Sequence, residues 1–380
     1  MTHFPRLRLF TTALLLSCLG ACAGQSSMVH SPRYSPEELL QGSRFGLQPA
    51  ALEPVDLLAV NDDMRAFLRQ HVPEGVNDRR KVELILAAIL DDGLNLTYNN
   101  FRTFTAEEAF YSREGNCMSF TNLFVALARE AGVNVRFQEV TVPPTWSARG
   151  ETWLFNLHIN ALVDLPSYKQ VVDFNLDDYN REFHRRQLTD REALARYHNN
   201  MGVHWMTGGE GDRAFAHFQR AIQLRPGTGY FYTNLGTLYR RLGQDAAAES
   251  AYLTAIDIDE EPVAYSNLAR LYAARGDSDR ASYYRQQVDL FRSRNPYYLF
   301  YLAEEAYAEA DYVEAEDLLR KALRQHSKDH RIYRLMGLVH LRQGDHWLAE
   351  KRFRQAAELA DNDDEALARY NHKLELLAQH

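Results

Sequence analysis

Apolar residues at helical spacing follow three capping residues in the first half of the chain. Asn61, Asn77 and Thr105 are residue types that accept a hydrogen bond at a helix N-terminus. The stretch Thr105-Ala-Glu-Glu fits a capping box. From Cys117 the apolar residues again recur every three to four positions, and Gly132 suits the end of that helix. The pattern therefore predicts four helices.

After Gly132 the pattern changes from a helical to an alternating period. Three stretches rich in Val, Phe and Ile alternate apolar with polar residues, as half-buried strands do. They span 133–142, 152–163 and 170–175. Helices followed by strands in this way predict an α+β domain, which we place at residues 53–190.

From Ala195 onward one set of positions returns about every 34 residues. Each copy has a large apolar residue followed by Gly or Ala, and later an Ala and further large residues. The opening pairs are Met201-Gly202, Leu235-Gly236, Leu268-Ala269, Leu302-Ala303 and Met336-Gly337. Five copies in register resemble a tetratricopeptide repeat array, which implies an all-α solenoid over residues 195–363. A polar-faced capping helix is expected at 364–380.

The N-terminus has the layout of a secretion signal. Two arginines precede a mostly apolar stretch, residues 9–19, that is too short to anchor a protein across a bilayer. Leu19-Gly20-Ala21-Cys22 resembles the lipobox of bacterial lipoproteins. The resemblance implies a signal peptide at residues 1–21 and a lipid on the Cys22 thiol. A plain secretory signal cleaved nearby is the alternative.

The segment after the lipobox, residues 22–52, is rich in Ser, Pro, Gly and Gln and has no sustained period. We expect it to be a tether between the lipid and the first domain. Ala23 resembles the residue that follows the cysteine in lipoproteins sorted to the outer membrane. The resemblance implies a lipid-anchored protein of the bacterial cell envelope, at the outer membrane and facing the periplasm.

Composition narrows the function by exclusion. Hydrophobic content of 46% and charged content of 25% are ordinary for a globular protein. The net charge of -8 gives no sign of a nucleic-acid surface. The histidines are scattered without ligand spacing, and the chain has no phosphate loop or dinucleotide fingerprint. We therefore expect no nucleic-acid partner, no metal and no cofactor.

The three cysteines leave a single thiol in the mature body. Cys18 would be removed with the signal peptide, and Cys22 would carry the lipid. Cys117 is then alone and cannot form an intramolecular disulfide. A free thiol in an oxidising compartment is expected to be either buried and inert or retained for its reactivity.

Three residues could together form a nucleophilic site. Cys117 begins a predicted helix, whose dipole and free N–H groups would stabilise a thiolate and an oxyanion. His158 and Asp173 fall on successive predicted strands, so antiparallel pairing would make them neighbours. Taken singly, each residue type more often has a structural role. Asp164 is the competing acid, but it lies in the predicted turn before Pro166.

This layout resembles the transglutaminase-like superfamily, whose fold is related to papain-type cysteine proteases. The resemblance covers about residues 60–180 and begins at Gly115-Asn116-Cys117, which opens a helix ending in Ala131-Gly132-Val133. It implies that Cys117, His158 and Asp173 are the catalytic cysteine, histidine and aspartate. Tyr98 stands about where some relatives have an aromatic residue on the oxyanion side.

The resemblance implies acyl transfer on peptide or protein amides. Water as the acceptor would make the protein a protease or amidase, and an amine would make it a crosslinking enzyme. We favour hydrolysis. Met118 and Ile159 stand where many family members have an aromatic residue, so the subfamily and substrate stay open. The alternative is a catalytically inactive domain that serves as a lipoprotein interaction scaffold.

In tetratricopeptide proteins the first helix of each hairpin lines a concave groove. Arginines with tyrosines between them would suit an acidic or extended peptide of a protein partner. Arginine also favours solvated helix faces, and the array could instead self-associate or support the first domain. The groove positions implied by the resemblance are Arg196, Asn199, Tyr230, Arg240, Arg241, Arg270, Tyr297, Phe300, Tyr307, Arg331, Arg334 and Arg342.

Overall fold

A computed structural model describes residues 31–91, 93–100, 102–140, 158–174, 185–360 and 364–377. The first half of the chain contains both helices and strands, with the longer strands after the helices, and the second half is helical. The first half contains α1 (Pro36–Leu39), α2 (Asp62–His71), α3 (Asp78–Leu90), β1 (Thr97–Tyr98), α4 (Ala106–Ser112), β2 (Glu114–Gly115), α5 (Cys117–Glu130), β3 (Val135–Val140), β4 (His158–Asp164), β5 (Lys169–Val172) and β6 (Arg185–Leu188). This order agrees with the predicted α+β domain.

The helices begin where their capping residues predict. The Asn61 side chain accepts a hydrogen bond from the Met64 N–H at 3.0 Å, and Asn77 caps α3 in the same way. Thr105 and Glu108 form both hydrogen bonds of a capping box at the start of α4. These contacts satisfy backbone N–H groups that have no acceptor within the first turn.

Four strands form an antiparallel sheet in the order β5-β4-β3-β6. The prediction that the strand of His158 pairs antiparallel with the next strand is confirmed, and Asp173 directly follows β5. β6 was not predicted, because its sequence Arg-Arg-Gln-Leu buries only Leu188 and shows no alternation of apolar residues. The predicted strand residues 152–157 lie outside the described residues.

α5 is the central helix of this domain. Leu123, Phe124 and Leu127 are fully buried, and the same core contains Phe137 and Ile159 from the sheet. A helix that is apolar on nearly every side belongs in a core, where packing fixes its position. The packing therefore also fixes where its first residue lies relative to the sheet.

The second half of the chain is a row of helical hairpins. Its helices are α6 (Asp190–Thr207), α7 (Gly211–Leu224), α8 (Gly229–Arg241), α9 (Asp245–Asp259), α10 (Pro262–Ala274), α11 (Ser278–Arg294), α12 (Pro296–Ala308), α13 (Tyr312–Gln325), α14 (His330–Gln343), α15 (His346–Leu359) and α16 (Asp364–Leu377). Each hairpin pairs one helix with the next, from α6 with α7 to α14 with α15. Within the described part, none of the helices has both the length and the apolar composition that crossing a bilayer requires.

Close contact between the two helices explains the recurring small residue of the repeat. A Cβ atom on Gly202 would lie 2.5 Å from the ring of Phe218. One on Gly236 would lie 2.7 Å from the ring of Tyr252. Both distances are far below van der Waals contact, so a side chain at either position would push the hairpin apart.

α6 belongs to both halves of the protein. Tyr197 is buried in the core that contains α5, whereas Met206 is buried in the core of the hairpins. Next to Tyr197, the Arg196 guanidinium donates a hydrogen bond to the Glu139 carboxylate of β3, and both side chains are largely buried. The first hairpin is therefore packed directly against the sheet.

The expectation of a tether over residues 22–52 needs correction. Three apolar side chains from its described part are buried in the hairpin core: Leu39, Phe45 and Leu47. The Tyr239 hydroxyl donates a hydrogen bond to the Leu39 carbonyl, and the Ser250 hydroxyl accepts one from the N–H of Tyr34 at 3.1 Å. Three buried apolar residues among many polar ones give no periodic signal in the sequence. They nevertheless hold residues 33–48 against the hairpins, and we call this segment the strap.

Two histidines face each other inside the first hairpin. The Nδ1 atoms of His198 on α6 and His217 on α7 are 3.0 Å apart, and both side chains are buried. Burial, assisted by repulsion from His217 and Arg220, lowers the pKa of His198 to about 3. Burial and His204 lower the pKa of His217 to about 4. Both rings are therefore neutral in the folded protein.

This pair should make the first hairpin sensitive to acid. Histidine in the unfolded chain titrates near 6.5, so the unfolded state takes up protons first. The stability that depends on these two rings being neutral is fully present above pH about 6.5. It is lost as the pH falls towards about 4. We expect urea unfolding at pH 5 to show a free energy lower than at pH 7 by on the order of 3 kcal/mol from these two rings.

The double variant His198→Leu/His217→Leu should lose this part of the pH dependence, whatever its stability at pH 7. His372→Leu on exposed α16 serves as the control and should keep the wild-type slope. An unchanged slope in the double variant would assign the acid sensitivity to other groups.

Candidate active site

Cys117 is the first residue of α5, and the turn before it is tightly hydrogen-bonded. Asn116 is the N-cap, and its side chain accepts a hydrogen bond from the Ser119 N–H at 3.1 Å. Helix geometry leaves the N–H groups of the first turn without an intrahelical acceptor. The thiol is partly exposed and forms no disulfide. The sulfur therefore lies at the positive end of the helix, where a thiolate is favoured.

Side chains that the sequence analysis did not single out hold this turn in place. The Ser119 hydroxyl accepts a hydrogen bond from the Phe104 N–H at 2.8 Å. The Asn116 amide donates to the Thr103 hydroxyl at 2.7 Å, and Asn200 of α6 also donates to that hydroxyl at 3.4 Å. These residues come from three separate segments, so no local spacing could have revealed them.

His158 and Asp173 are brought together as the sequence predicts. The Nε2 atom of His158 lies 2.6 Å from Oδ1 of Asp173. Their side chains are only 6% and 3% exposed. Asn160, two residues along β4, donates from Nδ2 to the second oxygen of Asp173 at 2.8 Å. The carboxylate thus has a hydrogen-bond partner on each oxygen.

Cys117 is the second group that acts on the His158 ring. The start of α5 lies beside the start of β4, because the Thr121 hydroxyl is 2.8 Å from the Cys117 carbonyl and 3.2 Å from the Ile159 carbonyl. Burial opposes the charged form of the ring, but interactions with Asp173 and Cys117 outweigh it and raise the pKa of His158 to about 10. A charged imidazolium beside a cysteine is the arrangement that activates a thiol nucleophile.

The competing acid, Asp164, lies at the other end of β4. Its carboxylate forms an ion pair with Arg136 at 2.6 Å and a second with Lys169 at 3.5 Å. The strand separates it from His158 by six positions along the chain. Asp173 is therefore the acid of this site.

Tyr98 lies on β1, beside the turn that precedes Cys117. Its strand pairs with Gly115, two residues before Cys117, and its ring stands edge-on to Phe120 with centroids 6.0 Å apart. The side chain is 42% exposed. A role on the oxyanion side stays a prediction.

Four of the groove positions implied by the repeat pattern are buried instead: Arg196, Asn199, Tyr230 and Phe300. Arg196 pairs with Glu139 of the sheet, and the Asn199 amide oxygen accepts a hydrogen bond from Asn234 of α8 at 2.9 Å. Tyr230 and Phe300 belong to the hydrophobic cores of the hairpins. The physical reason is that neighbouring segments of the same chain cover these positions, so these residues are unavailable to a partner.

The remaining groove arginines are partly exposed and make local contacts. Arg240 pairs with Asp245 at 2.5 Å, and Arg241 donates to the Met206 carbonyl at 2.9 Å. Further along, Arg270 donates to Asn267, Arg331 pairs with Asp329, Arg334 lies 3.9 Å from Glu304 and Arg342 donates to Tyr307. Of these, the Arg334 contact is the loosest. Tyr297 and Phe300 both lie near the start of α12, the first helix of its hairpin.

Two family models match the chain. One, described as the transglutaminase-like superfamily, covers residues 70–171, which include Cys117 and His158. The other, a tetratricopeptide repeat, covers residues 230–262, which span α8 and α9. The chain contains a transglutaminase-like domain followed by tetratricopeptide repeats. The predicted fold class is thereby confirmed, with a small α/β region preceding a helical solenoid.

Solved structures match about half of the chain, with low TM-scores. PilF of Pseudomonas aeruginosa is 13% identical to this chain. The match covers 50% of this chain and 94% of that chain, with a TM-score of 0.26. The protein TTC0263 of Thermus thermophilus is 19% identical, with 48% and 99% covered and a TM-score of 0.25. A MamA protein is 17% identical, with 45% and 94% covered and a TM-score of 0.24. No curated protein matches the chain.

The lipidation site, Cys22, is outside the described residues. Among the described residues, no group of three or more His, Cys, Asp or Glu side chains is arranged to hold a metal ion.

Gly115 should be required for the start of α5. Its φ is +156°, and a Cβ atom there would lie 2.4 Å from Cβ of Ser119, the side chain that holds the turn. We expect Gly115→Ala to lower the free energy of unfolding by roughly 3 kcal/mol or more and to disturb the Cys117 backbone. Urea unfolding measures the first effect.

Gly132, just after α5, is the matched control. Its φ is +79°, but nothing lies within 4 Å of an added Cβ atom. Gly132→Ala therefore carries backbone strain of roughly 1–3 kcal/mol without the clash. Equal losses for the two variants would mean that contact with Ser119 does not restrict position 115.

Proposed function

We propose that this protein is a cysteine-dependent acyl-transfer enzyme that acts on peptide or protein amides through Cys117. The single observation that carries the proposal is the position of His158, whose ring lies 2.6 Å from Asp173 and whose pKa is raised by Asp173 and Cys117. The match to the transglutaminase-like superfamily supports it independently.

Each residue of the site has a defined step in this proposal. The Cys117 thiolate attacks the amide carbon, and N–H groups at the start of α5 stabilise the oxyanion. The His158 imidazolium protonates the leaving amine as the C–N bond breaks, leaving a thioester on Cys117. Neutral His158 then takes a proton from the attacking water, and the thioester is cleaved to an acid. Asp173 orients the ring and stabilises its charge throughout.

Hydrolysis is the preferred outcome over crosslinking. An amine that replaces water in the second step would give a crosslink through the same residues. We favour water because the bacterial proteins that the domain resembles are more often considered hydrolases. A catalytically inactive scaffold is the competing function, and it is distinguished by the reactivity of Cys117.

The first test is the pH dependence of Cys117 alkylation by iodoacetamide. Cys18→Ser and Cys22→Ser leave Cys117 as the only thiol of the full chain. An ordinary thiol titrates near 8.5, so it reacts slowly at pH 6–7. Since the pKa of His158 is raised to about 10, its positive charge persists through this range. We expect Cys117 to react at pH 6.5 on the order of tenfold faster than the urea-unfolded chain does.

His158→Ala should remove this advantage, and the two rates should converge above pH about 10, where the wild-type ring loses its proton. Asp164→Asn, which changes the competing acid at the far end of β4, should leave the profile unchanged. If wild type and His158→Ala both follow an ordinary thiol, Cys117 is structural and the scaffold function is correct.

We further propose that the open groove from α10 to α14 recruits an acidic or extended segment of a protein partner. Arg196 provides an internal example, because this groove-position arginine already binds the Glu139 carboxylate. Arg334 is 37% exposed, and its contact with Glu304, at 3.9 Å, is the loosest of these pairs. It is therefore the arginine that can exchange its partner most readily. A carboxylate from a peptide could replace that contact with a bidentate one.

Arg334→Glu should weaken binding to a series of synthetic acidic peptides at least fivefold, measured by fluorescence anisotropy at low salt. Neutral peptides of the same length should bind weakly to both forms. Arg320→Glu is the control, because Arg320 is 62% exposed on α13, the outer helix of its hairpin. Equal losses in the two variants would indicate general charge attraction rather than a groove site.

Finally, we propose that Cys22 carries a lipid and anchors the protein in the bacterial cell envelope, at the outer membrane and facing the periplasm. The lipobox resemblance supports this proposal. The strap begins at Arg33, eleven residues after Cys22. Eleven extended residues reach at most about 40 Å, so the anchor would hold the repeats close to the membrane surface.

A further inference from the structure

Asn160 contacts the catalytic aspartate from the side opposite the histidine. Its Nδ2 donates to Oδ2 of Asp173 at 2.8 Å, while His158 Nε2 lies 2.6 Å from Oδ1. The Asn160 side chain is fully buried on the central strand β4. In the sheet register it stands opposite Gln138 of β3, which is also buried.

The orientation of the Asn160 amide carries an energetic cost. Because Nδ2 faces the carboxylate, Oδ1 is fixed as the acceptor, and it is buried without a hydrogen-bond donor among the described residues. A buried acceptor that lacks a donor destabilises the fold, and an apolar side chain of similar size would avoid that cost. The favourable contribution of this side chain is therefore the hydrogen bond that Nδ2 donates to Asp173.

That contact controls how Asp173 can serve His158. A buried carboxylate that is held by one oxygen alone can rotate or take up a proton. A second donor on the other oxygen fixes the carboxylate plane and favours the ionised form. The ionisable groups that act on His158 within the described residues are Asp173, after β5, and Cys117, at the start of α5.

We propose that Asn160 is a positioning residue that fixes the orientation in which the Asp173 carboxylate holds the His158 ring at the start of β4. The effect of Asn160 on catalysis rests on the proposed function above. The effect of Asn160 on His158 does not depend on that function, so the two effects can be tested separately.

The test is the titration of His158 by NMR in the full chain carrying Cys18→Ser and Cys22→Ser, with isotope-labelled histidine. The His158 signal is assigned as the one missing in His158→Ala. In Asn160→Leu we expect the midpoint to fall by at least one pH unit, because Asp173 is no longer held at hydrogen-bond distance. The alkylation rate of Cys117 at pH 6.5 should fall at least fivefold in the same variant.

Gln138→Leu is the matched control. The Gln138 amide also has a buried oxygen without a donor among the described residues and stands opposite Asn160. Its replacement changes burial to the same extent and should leave the His158 midpoint unchanged. Asn160→Ala, which removes bulk, replaces Asn160→Leu if leucine prevents folding.

An unchanged or raised His158 midpoint in the folded Asn160 variants overturns the inference. So does an equal fall in Gln138→Leu, which would mean a general effect of burial. If wild-type Cys117 reacts as an ordinary thiol, the proposed activity fails, but the His158 titration still decides the role of Asn160.

Discussion

Helix α6 must satisfy two hydrophobic cores at once, and the arrangement of the whole protein depends on it. Tyr197 packs into the transglutaminase-like domain, and Met206 packs into the repeats. Next to Tyr197, Arg196 forms a buried ion pair with Glu139 of the sheet. Breaking such a pair leaves a charge without a partner in a poorly solvated place, which is strongly destabilising. The sheet and the first repeat are therefore fixed relative to each other.

The same helix connects the repeats to the candidate active site. Asn200 donates to the Thr103 hydroxyl, which also accepts a hydrogen bond from Asn116, the N-cap of the helix that begins with Cys117. The first repeat thus helps to hold the turn before Cys117. This contact gives the repeats a role in supporting the site, separate from the partner binding proposed for them.

Opposing forces set the charge of the site. Burial of His158 disfavours the imidazolium, but Asp173 on one side and Cys117 on the other favour it more strongly. Because the His158 and Asp173 side chains are almost fully buried, their attraction is little screened by water. A site of this kind depends on the accurate placement of a few atoms, which the rigid sheet and the packed α5 provide.

The sequence by itself determined the elements whose signals are local. Capping residues located the helix starts at Asn61 and Thr105, and the repeat period located the hairpins. Chain order suggested that His158 and Asp173 would be neighbours, and they are in contact. The small residues of the repeat were also local signals, because the absence of a side chain at Gly202 leaves room for the ring of Phe218 in the same hairpin.

Only the tertiary structure decided the features that depend on distant contacts. The strap looks like a tether in sequence because its buried residues have no period, and their partners lie some two hundred positions away at Tyr239 and Ser250. Arg196 looks like a groove residue because its position in the repeat is correct, but the sheet covers that position. Asn160 and Asn200 gained their roles from Asp173 and Thr103. A residue's period shows which face it occupies, whereas packing between distant segments determines what covers that face.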